Sequence, residues 1–224
     1  ATRLGIDSTL SRDLSIALGS SGISLLELLK AYSVFANQGY LVDPVFILKV
    51  EDRNGNVLEE MAPERRKAME KSSAYIMTSL LEGVVKNGTG WRAKALHRPA
   101  AGKTGTTNNL YDAWFVGYTP QYITGVWVGL DEEAPMGKSE TGSRAASPIW
   151  LGFMQRALEG KPVEVFQPPE GVVFAKIDAD TGLLPIAESE NVIFECFKDG
   201  TVPIEHTKAP DVISEKEDFF KKDL

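Results

Sequence analysis

The 224-residue sequence predicts an α+β fold. Three observations lead there. Ser24-Leu-Leu-Glu27 precedes apolar residues at helical spacing. Three strand-like runs, about 99–107, 112–118 and 122–130, follow one another through short connections. Ser147-Pro148 opens a further helical pattern. Hydrophobic residues make up 43% of the chain, which suits one large domain, or one with a small appendage.

The elements follow in order. Residues 1–23 are rich in Ser and Gly, with an apolar trace at Leu10, Leu14, Ile16 and Leu18, and predict a short helix or loop. Ser24 and Glu27 form a capping box, in which hydroxyl and carboxylate satisfy first-turn amides. Leu25, Leu28, Leu29, Tyr32 and Phe35 form the core face of that helix, and Gly39 stops it. Residues 45–60 predict a hairpin around Asn54-Gly55. Charged residues 64–71 form a connector. A second helix is expected from about Ser73 to Lys86, with Ile76, Met77, Leu80, Leu81 and Val84 inward. Asn87-Gly-Thr-Gly90 breaks it and begins a loop carrying Trp91 and Arg92.

Thr119-Pro120-Gln121 is short enough to make the second and third strands antiparallel neighbours. The loop 131–146 is polar. Ser147 is the expected N-cap of the next helix, with Pro148 at its first position and Ile149, Trp150, Phe153, Met154 and Ala157 as its buried stripe. Composition shifts at Pro162. Residues 1–160 are therefore taken as one domain and 161–224 as an extension, with strands at 171–178 and 192–197 around Thr181-Gly182. The charge-rich stretch 207–224 is expected to fray.

Composition excludes several functions. A net charge of −7 without a basic stripe argues against nucleic acid as partner. The single Cys196 allows no internal disulfide and reads as a half-buried strand thiol; His97 and His206 have no metal-ligand spacing. No run of about 18 apolar residues is present. No signal peptide opens the sequence, as expected for part of a longer chain.

The residues richest in chemistry are Ala101-Gly102-Lys103-Thr104-Gly105-Thr106-Thr107. They place one ammonium and three hydroxyls on a Gly-bracketed strand. Such an edge can hold a carboxylate, and Gly102 and Gly105 let a ligand lie against the backbone. A phosphate-binding loop is excluded, because the Gly needed five positions before Gly102 is His97 and the one needed before Gly137 is Glu132. No Gly-x-Ser-x-Gly elbow occurs. Taken alone, Lys103 and its threonines fit better an edge strand that polar side chains keep soluble; Asn108, Asp112 and the aromatic strand after them turn the balance.

Lys103-Thr-Gly105, within AGKTGTTNNLYDAWFVGYTPQYITGVWVGLD, resembles the transpeptidase domain of bifunctional (class A) penicillin-binding proteins. The resemblance covers about residues 1–160. It implies a penicillin-binding/serine β-lactamase-like fold, a central antiparallel sheet with helices on both faces. It also implies a serine-type D-Ala–D-Ala transpeptidase or carboxypeptidase that cross-links peptidoglycan stem peptides through a serine ester and binds β-lactams. No metal or organic cofactor is implied. Lys103 would hold the substrate carboxylate with the Thr104 and Thr106 hydroxyls, beside Gly105. The Thr106 N–H would serve the oxyanion. Thr107 and Trp91 are further substrate-binding candidates; Trp91 and Arg92 either line the cleft or staple the core. Asn108 and Asp112 are expected to fix the turn.

The sequence departs from the family at one point. No Ser has a Lys three residues later, and the one Ser-x-Asn, Ser189-Glu190-Asn191, lies after Lys103, in the wrong order. The expectation is the C-terminal part of the domain, inactive alone, with the upstream half as its partner. A glycosyltransferase domain and an N-terminal membrane anchor would lie elsewhere in a parent protein at the extracytoplasmic face of the bacterial inner membrane. The alternative is a non-catalytic scaffold that keeps the fold.

Overall fold

The capping box forms as the sequence predicts. In the computed structural model, which describes residues 1–132 and 134–208, the Glu27 N–H donates to Ser24 Oγ and the Ser24 N–H to the Glu27 carboxylate. Helix α1 runs Leu25–Ala36. Gly39 ends this segment at φ 90°, where a Cβ would stand 2.5 Å from the Met69 carbonyl oxygen. Two short 3₁₀ turns, Thr2–Leu4 and Leu14–Leu18, precede α1.

Strand β1 (Tyr40–Val42) pairs antiparallel with β4 (Arg65–Lys67). The connector expected at 64–71 is therefore partly strand. Arg65 lies over the Tyr40 ring and Arg66 meets Asp43, so the charged side chains stay outside while the backbone joins the ladder. Strands β2 (Lys49–Glu51) and β3 (Val57–Glu60) form the expected hairpin, shorter than predicted. The Asp52 carboxylate gathers the N–H groups of Asn54 and Asn56, making the turn a loop around Gly55.

Helix α2 runs Lys71–Asn87. Its buried residues are Ser72, Ala74, Thr78, Leu81 and Val85; of the five predicted inward, Leu81 is buried, whereas Met77 and Leu80 are exposed. Small side chains bring this helix close to its neighbours, and the Thr78 hydroxyl pairs with Tyr118 Oη at 2.9 Å. Burial pushes the Tyr118 phenol well above its usual pKa, with Thr78 opposing.

The three central strands appear where predicted. They are β5 (Ala101–Thr106), β6 (Asp112–Tyr118) and β7 (Ile123–Gly129), in antiparallel order β5-β6-β7. Helices cover both faces. On one, Tyr32 and Phe35 of α1 and Leu81 of α2 pack on Ala101, Tyr118 and Ile123. On the other, Phe115, Val126 and Val128 meet Trp150 and Met154 of helix α3 (Ser147–Ala157) and Ala93 and Leu96 of a 3₁₀ segment at Trp91–Leu96. Trp150 is fully buried, and its indole N–H lies 3.1 Å from both Gly117 O and Thr124 O. Within α1, the predicted face is half-buried; Ala31 and Val34 are the fully buried residues.

Two expectations for α3 fail. Ser147 is not its N-cap: a π-turn at Gly142–Ala146 runs directly into the helix, and the Ser147 N–H bonds back to Gly142 O. The Ser147 hydroxyl is buried without a hydrogen-bond partner among the described residues. Trp150 and Met154 are buried, but Ile149 and Phe153 are 55% exposed, because a narrower stripe than predicted faces the sheet.

The chain separates into two compact units, Ala1–Glu170 and Gly171–Leu224. The first continues past Pro162 because the Arg98 guanidinium donates to the carbonyls of Leu158, Lys161 and Pro162, and Phe166 packs edge-on against Tyr118. The second holds an antiparallel ribbon of β8 (Val172–Asp178) and β9 (Val192–Lys198), where Cys196 is buried. Asp178 accepts from the N–H groups of Asp180 and Thr181, which shapes the turn. Thr207, assigned to the fraying tail, donates its N–H to Leu184 O at 2.8 Å. The rest of that expectation, from residue 209, lies outside the described residues.

Candidate functional site

Among the described residues, strand β5 has a strand partner on one side only, so one of its edges is free of strand pairing. The Thr107 N–H donates to Asp112 O at 3.2 Å, in line with the register Thr106↔Ala113 and Gly105↔Trp114. Antiparallel ladders alternate, so the backbone groups of Lys103 and Gly105 face β6. Those of Gly102, Thr104 and Thr106 point to the free edge. The Thr106 N–H is thus presented outward, as an oxyanion donor must be. The Lys103 ammonium reaches the same edge and donates to Thr104 O at 2.8 Å.

The threonine hydroxyls are held from behind. Thr104 Oγ1 lies 2.7 Å from Thr89 Oγ1. Thr106 Oγ1 accepts from the Gly142 N–H at 3.0 Å. Gly142 packs over the Gly105–Trp114 pair so closely that a Cβ there would lie 2.3 Å from Trp114 O and 2.5 Å from Gly105 O. Only glycine fits. Gly105 in turn lies against Trp114, whose Cβ would stand 3.1 Å from an added methyl group.

Thr107 has a different task. Its hydroxyl accepts from the N–H groups of Tyr111 and Asp112 at 3.0 and 2.9 Å, closing the turn between β5 and β6. Asp112 accepts from the Trp127 indole N–H at 2.7 Å, which ties that turn to β7. Asn108 lies exposed in it. Trp91 is exposed and carries the Arg92 guanidinium over its ring at 4.6 Å. Lys103, Thr104 and Thr106 therefore share one edge, Thr107 supports it, and Trp91 pairs with Arg92.

Thr89 and Gly142 were not singled out from the sequence. Each sits in a small-residue triplet, Gly88-Thr89-Gly90 and Thr141-Gly142-Ser143, which marks a tight turn without saying what it touches. A cleft of about 500 Å³ lined by Tyr40, Lys67, Lys71 and Gln167, and another of about 520 Å³ at Leu96, Arg98 and Arg156, include neither Lys103 nor its threonines. Among the described residues no group of three or more His, Cys, Asp or Glu side chains is arranged to hold a metal ion, and no helix is long and apolar enough to cross a membrane.

Comparison with known proteins shows the family to which this fold belongs. Residues 4–155 match the penicillin-binding protein transpeptidase domain, and residues 168–209 match the C-terminal domain of penicillin-binding protein 1A. Penicillin-binding protein 1A of Pseudomonas aeruginosa is 35% identical over 87% of this chain and 30% of its own length. That of Aquifex aeolicus is 45% identical over 76% of this chain and 24% of its own. The chain thus spans under a third of these relatives. The crystal structure of penicillin-binding protein 1A from Haemophilus influenzae superimposes with a TM-score of 0.86 at 27% identity, covering 92% of this chain and 37% of that one. The match across residues 4–155 includes the whole Lys103–Thr107 edge, and by it the chain belongs to the penicillin-binding protein transpeptidase domain family.

Proposed function

We propose that this chain forms the substrate-carboxylate edge of a peptidoglycan D,D-transpeptidase, and that the nucleophilic serine comes from a Ser-x-x-Lys segment outside residues 1–224. The observation that carries this reading is the edge of β5 left without a strand partner among the described residues, where the Lys103 ammonium meets Thr104 O and the Thr106 N–H points outward. The ammonium and the Thr104 and Thr106 hydroxyls suit the terminal carboxylate of a stem peptide, or that of a β-lactam. Gly105 leaves the backbone open to it. The serine oxygen attacks the penultimate D-Ala carbonyl, the terminal D-Ala leaves as an amine, and an amine of a second stem peptide displaces the serine. The Thr106 N–H serves the oxyanion in both steps; one such donor contributes roughly 2.7–4 kcal/mol. The reaction places the whole protein at the outer face of the bacterial inner membrane, where its substrate lies. Residues 1–160 serve the reaction, and 161–224 are an extension from it.

Intact-protein mass spectrometry after incubation with a penicillin tests this. The chain alone is expected to gain no mass, and a full-length protein carrying it to gain one penicilloyl group on a serine outside residues 1–224. A stoichiometric adduct on any serine of the isolated chain overturns the assignment.

A further inference from the structure

The Thr89–Thr104 hydroxyl pair sets the direction of a proton at this edge. A threonine hydroxyl has one hydrogen and two acceptor sites. At 2.7 Å one of the two oxygens donates to the other. If Thr104 donates to Thr89, its only hydrogen is spent and Thr104 repels a carboxylate. If Thr89 donates, the Thr104 hydrogen is free for the ligand. Thr106 shows the same arrangement with no ambiguity, because its partner is the Gly142 N–H, which can only donate.

We infer that Thr89 is a positioning residue: it donates to Thr104 Oγ1, and so turns the Thr104 hydroxyl toward the ligand carboxylate. This rests on the assignment of Thr104 to carboxylate binding made above. An anion at the outer edge favours the chain Thr89 O–H, Thr104 O–H, carboxylate, because each bond polarises the next. Thr89 touches no substrate. Thr89 itself is exposed in the turn after α2, although its neighbour Gly90 is buried, so replacing the Thr89 side chain leaves the core untouched.

The test uses the full-length protein and second-order acylation rate constants, followed by intact mass. Two ligands are compared: a penicillin with its free carboxylate, and the same penicillin as its methyl ester. Thr89→Val is expected to slow the free acid roughly two- to tenfold, the worth of one neutral hydrogen bond, and to leave the ester rate unchanged. Thr89→Ser, which keeps the donor, restores the free-acid rate. Equal slowing of both ligands by Thr89→Val, or none of either, overturns the inference. Lys103→Ala is measured alongside. If it too fails to discriminate acid from ester, the carboxylate edge itself is wrong; if Lys103→Ala discriminates and Thr89→Val does not, the role of Thr89 alone fails.

Discussion

Strands β6 and β8 are each seven residues long, each in unbroken antiparallel register with a neighbour, and each carries aromatic side chains. Their surroundings differ. In β6, Ala113 and Phe115 through Tyr118 are buried, because α1 and α2 cover one face of the sheet and α3 the other. In β8 only Ile177 and Asp178 are buried; Phe174 stacks on Phe194 at 5.5 Å, with Phe194 66% exposed. Local pattern suffices to form a ribbon. Covering it takes elements from elsewhere in the chain, as α1, α2 and α3 do for the β5–β7 sheet.

The sharpest way to break this comparison is to remove one aromatic from each region. Trp150→Ala deletes a fully buried indole packed on Phe115, and is expected to cost about 3–5 kcal/mol. Phe194→Ala removes an exposed stacked ring and is expected to cost about 1 kcal/mol or less. Native-state hydrogen exchange reads the two units separately. Equal losses would mean that the ribbon is as well covered as the sheet.

The comparison sharpens at the edges. Lys103 lies on the free edge of the covered sheet, Lys176 on the exposed ribbon, and Lys138 in the polar loop after β7. In the full-length protein, Lys103→Ala is expected to slow β-lactam acylation by one to two orders of magnitude, as a charge-assisted hydrogen bond contributes roughly 1.5–3 kcal/mol. Solvent-screened charges contribute about 0–1 kcal/mol, so Lys138→Ala and Lys176→Ala are expected to change little. Acylation rates of well-folded variants decide it; equal rates for all three would remove Lys103 from the site.

The smallest effect concerns two carboxylates that organise turns, one in each unit. Glu27 accepts from Ser8 and Ser24, and the Ser8 hydroxyl above all lowers its pKa from 4.5 to about 2. Asp178 is also lowered, chiefly by Ser189. The folded carboxylate resists protonation that the unfolded chain accepts near 4.5. Glu27 therefore stabilises the fold fully above that pH and loses its contribution as pH falls toward 2. Glu27→Gln is expected to flatten the fall in protection of amides 7–8 and 24–28 between pH 5 and pH 3. An unchanged slope would show that Ser8 and Ser24 do not hold the carboxylate in solution.

Local signals were enough for much of this protein. Ser24 and Glu27 lie three residues apart and cap one turn, so their geometry is visible in the sequence. Thr119-Pro120-Gln121 is too short for anything but an antiparallel return. The Lys103–Thr107 run shows its strand in its own residues, whereas its proposed carboxylate chemistry is suggested only by the longer run over residues 101–131. What the sequence could not show depends on partners distant along the chain. The inward face of α2 follows Ala74 and Thr78, because close approach to the sheet, not side-chain size, decides which stripe is buried. Arg65–Lys67 become a strand because Tyr40–Val42 offers a ladder. Thr89 and Gly142 reach Thr104 and Thr106 across 15 and 36 residues of sequence. Such contacts arise only when helices and turns dock on the sheet, since hydrogen bonds and close packing act over a few ångströms of space, whatever the separation along the chain.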